Sequence, residues 1–176
     1  MSLKYIIVDL ESTERMYEFN NSNIGEIIEI GAVKIENNKI VDSFDIFIKP
    51  EYTKLTPFIS DLTSIIQKEI ESAYFFKEAY KIFNDWIDKP EDYVFISCGN
   101  YDYNQLKTIC NLHNISFNDF NNHLNLKELH AKKNNYKKHK SMKKMLDYDN
   151  IKLEGNHHRG IDDAYNLAKI FINLEK

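Results

Sequence analysis

An apolar, β-branched run that ends in two acids, Tyr5-Ile-Ile-Val-Asp-Leu-Glu11, constrains this chain more than any other stretch. It reads as a buried strand, and the polar Ser12-Thr-Glu-Arg15 that follows reads as the loop that ends it. Strand side chains alternate, so Asp9 and Glu11 project from the same face. Two carboxylates side by side at the mouth of an apolar strand repel each other and resist burial unless a cation sits between them. Taken alone, the pair reads more readily as solvated acids at an exposed strand end. The reading therefore depends on what the rest of the chain brings to it.

Three further residues complete a pattern. Asp102 follows a second apolar run, Tyr93 to Cys98, and opens a helical stretch in which Leu106 and Ile109 share its face, so it is expected to look toward the sheet. An acid there also suits the positive end of a helix, and the two roles are compatible. Near the C-terminal end the spacing H-x4-D occurs twice, as His157 with Asp162 and as His158 with Asp163. Helical phase separates them. Asp163 lies in phase with Leu167, Ile170, Phe171 and Leu174, which makes it the inward acid. Asp162 lies in phase with Tyr165, Asn166, Lys169 and Asn173, which makes it an exposed helix charge. His158 stands in a Gly-flanked loop, where a mobile imidazole titrating near neutrality suits a general base, and His157 is expected on the surface. Two divalent ions held close together need several hard anionic oxygens, and an attacking water needs a proton acceptor; Asp9, Glu11, Asp102, Asp163 and His158 supply both for a phosphodiester hydrolase. Glu29 alternates with Ile27, Gly31 and Val33, so it is expected to be inward, hydrogen bonded and outside the catalytic set.

The order of patterns predicts an α/β fold. Strands at Tyr5–Leu10, Ile27–Ile35 and Ile40–Ile48 come first, and Glu36-Asn-Asn-Lys39 between the last two predicts an antiparallel hairpin. An amphipathic helix over Ala73–Trp86 then crosses to the strand at Val94, which predicts parallel pairing with the first strand and puts the acid-bearing strand at the centre. Ligands bind at the carboxyl ends of strands in such sheets. With no internal repeat and no Gly- or Pro-rich linker, 176 residues at 43% apolar content are expected to form one domain over 1–176. No apolar run reaches membrane-spanning length, and the first strand begins almost at Met1, so neither a membrane span nor a signal peptide is expected. Two cysteines, Cys98 and Cys110, make no disulfide framework, and a cytoplasmic, reducing location is expected. The net charge of −4 argues against broad nonspecific duplex binding, yet eight lysines and two histidines fall between Lys127 and Lys144. That segment is either a solvated face or a track for backbone phosphates, with Lys137, Lys138 and Lys140 as candidate contacts.

The series Asp9-x-Glu11, Gly99-x-x-Asp102 and His158-Arg-Gly-Ile-Asp-Asp163-Ala resembles the DEDDh branch of the DnaQ-like 3'-to-5' exonuclease superfamily. Within it the chain is most similar to the group that includes the histone-mRNA 3' exonuclease and bacterial proteins of the sporulation-inhibitor type. The similarity extends through Glu26-Ile-Ile-Glu-Ile-Gly-Ala-Val33, Phe47-Ile-Lys-Pro50, Leu55-Thr-Pro-Phe58, Leu62-Thr-Ser-Ile65 and Asn125-Leu-Lys127. It implies a ribonuclease H-like fold, a mixed five-stranded sheet flanked by helices. It implies metal-dependent hydrolysis of single-stranded nucleic acid from 3' ends, RNA more than DNA, releasing nucleoside 5'-monophosphates, with two Mg2+ or Mn2+ as cofactors. By the family mechanism Asp9, Glu11 and Asp163 hold one ion, Asp9 bridges to the second, Asp102 supports it through water, and His158 takes the proton of the attacking water. Ser12, Thr13 and Tyr101 join the lysines as candidate substrate contacts. Ser64 stands where relatives often have Gly, and Tyr101 where many have Trp, and both changes bear on how the terminal nucleotides are gripped. A DNA proofreading or repair exonuclease and a regulatory RNA-binding module on the same fold are the competing readings.

Overall fold

The computed structural model describes residues 3–14 and 25–176. Arg15, the end of the loop expected after the first strand, lies outside them. Strand β1 (Lys4–Ser12) leads to β2 (Ile27–Glu36) and β3 (Lys39–Lys49), two short helices α1 (Pro57–Thr63) and α2 (Gln67–Glu71), and a two-residue strand β4 (Tyr74–Phe75). Helix α3 (Phe76–Ile87) crosses to β5 (Tyr93–Ser97), followed by α4 (Tyr101–Leu112), β6 (Asn122–Asn125), α5 (Leu126–Lys133), α6 (Met142–Tyr148) and α7 (Gly160–Leu174). The strands form one sheet in the order β4-β3-β2-β1-β5-β6.

Asn37 and Asn38 both take left-handed backbone angles, φ 51° and 58°, the two-residue turn whose twist matches its flanking strands, and β2 and β3 pair antiparallel across it. β1 pairs antiparallel with β2 and parallel with β5, so the acid-bearing strand is central, as the crossover predicts. The sheet has six strands where five are expected. Four of them fall where the sequence places strands; β6 and β4 are the others, and β4 occupies Tyr74 and Phe75, where helix is expected, and pairs with the end of β3 at the sheet edge. Two residues are too few for any period to register.

Alternation along β1 sorts the two faces. Ile6, Val8 and Leu10 pack with Ala79, Phe83 and Leu106 from α3 and α4, whereas Ile7 packs with Ala164, Leu167 and Phe171 of α7. Asp9 and Glu11 continue the Ile7 face and so end beneath the start of α7. That approach is close because two glycines meet there. A Cβ on Gly31 would stand 2.0 Å from the Gly160 carbonyl carbon, and a Cβ on Gly160 would stand 3.1 Å from the Asp9 carbonyl oxygen. Gly31 is the cross-strand partner of Asp9, so the helix start lands beside the first acid.

The chain after β3 is fixed by Glu26. Its carboxylate accepts the backbone N–H groups of Glu51 at 2.7 Å, Tyr52 at 3.0 Å and Thr53 at 2.6 Å. Charge-assisted bonds of this kind are about twice as strong as neutral ones. The Glu26 N–H and the Thr53 hydroxyl both donate to the Thr13 hydroxyl, at 3.0 Å and 2.9 Å. No helix among the described residues is long and apolar enough to cross a membrane.

Candidate active site

β1 contributes Asp9 and Glu11, and α7 contributes Asp163 from its first turn. Ligand oxygens of these three carboxylates lie within 4.8 Å of one another. Asp163 is buried, and its N–H donates to the Arg159 carbonyl at 2.8 Å as the helix starts. Asp102, buried in the first turn of α4, stands outside that trio. It accepts the Leu10 N–H at 3.4 Å, which ties α4 to the strand between the two β1 acids. The cross-strand partner of Glu11 is Glu29, fully buried as its alternation predicts, with Arg159 Nε donating to it at 3.2 Å and Gly160 N–H at 3.0 Å.

So many acids at one point disfavour their own ionisation. Burial, and then the charges of Asp102, Glu11, Asp163 and Glu29, raise the Asp9 carboxyl well above its usual range. Burial, followed by Glu29, Asp163 and Asp102, pushes Glu11 up to about 9 against a small opposing pull from Arg159. Asp102 rises to about 6 through burial, held back by the N–H of Leu10 and by the charge of Lys127. Asp45 on β3 rises to about 7, through burial and then its neighbour Glu29. Arg159 is already committed to Glu29, approaches Asp45 at 3.9 Å and lies over the Phe47 ring.

The histidine loop departs from expectation. His157 is not a surface residue: its Nδ1 meets both Asp163 oxygens, at 3.1 Å and 2.9 Å. His158 donates its backbone N–H to Asp163 at 3.1 Å, and its ring stacks on that of His157 with centroids 3.8 Å apart. The cause is local. His158 has φ 69°, a left-handed conformation rare for a residue with a side chain, and the reversal turns both imidazoles to the acid side. Burial, and then the neighbouring His157, lower the His158 pKa. Asp162 is also not simply a water-facing charge, since it is partly buried and accepts the Asn156 N–H at 2.7 Å. Asn166, expected with the polar face, is fully buried and bonded to both backbone groups of Glu154, at 2.7 Å and 3.1 Å.

The expected substrate contacts fall in two places. Ser12 ends β1, and Tyr101, half exposed, stands one residue before Asp102. Thr13 is buried, with its hydroxyl engaged by Glu26, Thr53 and the Glu14 carbonyl. In the lysine segment, Lys137 and Lys138 are exposed, and Lys140 lies over the Tyr136 and Tyr148 rings at 4.2 Å and 5.3 Å. The segment is anchored by His130, which is buried and bonded to Tyr136 and, at 3.1 Å, to Asp149. Lys127, given no site role by the sequence reading, is the lysine of this run whose charge reaches Asp102. It stands two residues after Asn125, at the carboxyl end of the last strand, and opens the lysine-rich segment; that position is the signal that points to it.

A mixed sheet whose central strand carries two of three clustered carboxylates, closed by a helix that brings the third, defines a ribonuclease H-like nuclease fold. Residues 6–171 match the exonuclease family RNase_T, and the chain belongs to that family, within the DnaQ-like 3'-to-5' exonuclease superfamily. It is 31% identical over 97% of its length to a PolC-type DNA polymerase III of Caldanaerobacter subterraneus subsp. tengcongensis, of which it covers 11%. It is 27% identical to the probable 3'-5' exonuclease KapD of Bacillus subtilis, covering 97% of this chain and 84% of that one. It is 29% identical to human 3'-5' exoribonuclease 1 over 96% of its own length and 51% of the relative. The chain thus spans about a tenth and about half of two of these relatives. Among solved structures, the nuclease domain of 3'hExo, a DEDDh family member bound to rAMP, superposes with a TM-score of 0.84 at 25% identity, covering 97% of this chain and 90% of that one.

Proposed function

We propose that residues 1–176 form one exonuclease domain that removes nucleotides from the 3' end of single-stranded nucleic acid, RNA more than DNA, and releases nucleoside 5'-monophosphates. The observation that carries this reading is the trio Asp9, Glu11 and Asp163, three carboxylates within 4.8 Å with Glu11 pushed up to about 9. Such a cluster fits divalent cations, because hard oxygen ligands and excess negative charge are what Mg2+ or Mn2+ requires. Asp9, Glu11 and Asp163 would hold the ions, with Asp102 acting at one remove through water. When bound, two such ions supply charge stabilisation for the attacking and leaving oxygens of an in-line displacement.

The chain's own residues do the rest. His158, with a pKa lowered by burial, is held neutral near pH 7 and takes the proton of the attacking water. His157, bonded to Asp163, orients that acid and stacks under the base. Glu29 holds Arg159 and Gly160, and so fixes the loop that carries both imidazoles. The preference for RNA is supported by the likeness to exoribonuclease 1 and to the rAMP-bound nuclease domain. The PolC-type relative supports a DNA 3' exonuclease as the second reading.

Parallel digestion of matched RNA and DNA oligomers, labelled at the 3' or the 5' end, tests the reading. With Mg2+ or Mn2+ present, the 3' label is expected to leave at once as a mononucleotide while the 5'-labelled strand shortens stepwise. Asp9→Asn should be folded and inactive, and His158→Ala should lose ~10²-fold or more in turnover with little change in metal affinity. Internal cutting, or full activity in excess chelator, would overturn it.

A further inference from the structure

Among the described residues, Arg159 and Lys127 lie near the acid cluster, one on each side of β1 in the sheet. Arg159, on the β2 side, is occupied by Glu29, Asp45 and the Phe47 ring. Lys127, on the β6 side, is not. Its stem passes over Gly99, with Nζ and Cδ at 3.8 Å and 4.0 Å from the position a Cβ on that glycine would take. Gly99 begins the turn into α4, three residues before Asp102. The Lys127 charge acts on Asp102 and on Cys98, the residue that follows β5, so the ammonium lies within electrostatic reach of the acid site. Among the described residues, however, its Nζ has no hydrogen bond and no ion pair within 4.0 Å.

The local structure keeps the lysine in place. Asn125 caps α5 by accepting the N–H groups of Lys127 at 3.0 Å and Glu128 at 3.4 Å. The same side-chain amide donates to Asn100 Oδ1 at 3.2 Å, which joins the start of α5 to the start of α4. The residue is half-buried and fixed at its base, yet its ammonium makes no hydrogen bond to a protein anion among the described residues. Of the acids near it, Asp102 already accepts the Leu10 N–H and Asp163 is bonded to the His157 ring and the His158 N–H.

We propose that Lys127 is a phosphate-binding residue of the active site, its ammonium taking a non-bridging oxygen of the 3'-terminal phosphodiester and then of the nucleoside 5'-monophosphate left after cleavage. The proposal rests on the exonuclease reading and assigns that site a specific anchor. A monoanionic phosphodiester must approach several carboxylates, and a fixed positive charge on the β6 side compensates for what Arg159, bound to Glu29, does not supply. The exposed lysines of the 137–140 stretch would follow the strand further from the point of cleavage.

The test is calorimetric and does not need turnover. Mg2+ alone, and then uridine 5'-monophosphate, inorganic phosphate or uridine at saturating Mg2+, are titrated into the wild type, Lys127→Gln and Lys127→Arg. Loss of one charge-assisted hydrogen bond should weaken monophosphate binding by about tenfold or more in Lys127→Gln and much less in Lys127→Arg. Uridine should bind all three alike, inorganic phosphate should follow the monophosphate, and Mg2+ affinity should be unchanged or tighter in Lys127→Gln. The Michaelis constant for a dinucleotide should rise by a similar factor. Equal monophosphate affinity in the wild type and Lys127→Gln would overturn the assignment, as would Lys127→Arg falling as far as Lys127→Gln. A wild type that neither binds the monophosphate nor shortens a 3' end would instead remove the exonuclease reading beneath it.

Discussion

Glu11 makes the metal-free protein sensitive to alkali in a way that can be worked through. Its carboxyl rises from 4.5 to about 9 on folding, chiefly by burial and then by Glu29 and Asp163. Between those values the native state binds a proton that the unfolded chain has released, so unfolding becomes easier as pH rises through the window. One pKa unit corresponds to ~1.4 kcal/mol, and from about pH 5 to about pH 8 Glu11 alone accounts for ~4 kcal/mol of lost stability. Asp9 and Asp102, both raised, act in the same direction. A domain's net stability is ~5–15 kcal/mol, so the effect is large, and for a chain of this size it corresponds to a fall of roughly 10 °C in Tm. Differential scanning calorimetry in chelator should show Tm falling from about pH 5 to about pH 8. Saturating Mg2+ should remove most of that slope, because the cation takes over the role of the bound proton. Glu11→Gln in chelator should flatten it too. A metal-free Tm that is level or rising across this window, or a slope unaffected by Mg2+, would refute the reasoning.

Three further outcomes are expected. Asp163→Asn should abolish metal-dependent hydrolysis, whereas Asp162→Asn, which weakens only the Asn156 N–H bond and the helix-start charge, should keep most of the activity and cost at most ~1 kcal/mol by thermal melting. Gly31→Ala should lower both stability and turnover, since its Cβ would stand 2.0 Å from the Gly160 backbone; Tm and the rate on one oligomer are the paired readouts. Changing Lys137, Lys138 and Lys140 together to Gln should raise the Michaelis constant for long oligomers and flatten its salt dependence, while dinucleotide cleavage barely changes.

Much of the fold and part of the site follow from short-range periodicity. The alternation at Asp9 and Glu11, the helical phase of Asp163 and the Asn37-Asn38 turn each depend on neighbours in sequence, and these the residues specify directly. The choice between His157 and His158 does not, because it turns on a left-handed φ at a histidine, which no residue type announces. Asn166 reads as polar and outward, yet the carbonyl and N–H of Glu154, from the loop before α7, give it buried partners. Lys127 looks like one lysine among eight until β5 and β6 lie side by side and Gly99 leaves room for its stem. In each case the missing information is a contact between segments distant in sequence or a backbone angle, neither of which periodicity encodes.

The acid trio is assembled from the first strand and from a helix that begins at Gly160, so its parts are made at opposite times during synthesis. A nascent chain that has already folded β1 against β2 and β5 still lacks Asp163 and both imidazoles. Until α7 clears the ribosome and docks on Gly31, the emerging polypeptide holds two carboxylates without the third. The acid site is therefore a late product of folding: a chain ordered only as far as β5 has the carboxylate pair of β1, and the trio exists only once α7 has docked on the sheet.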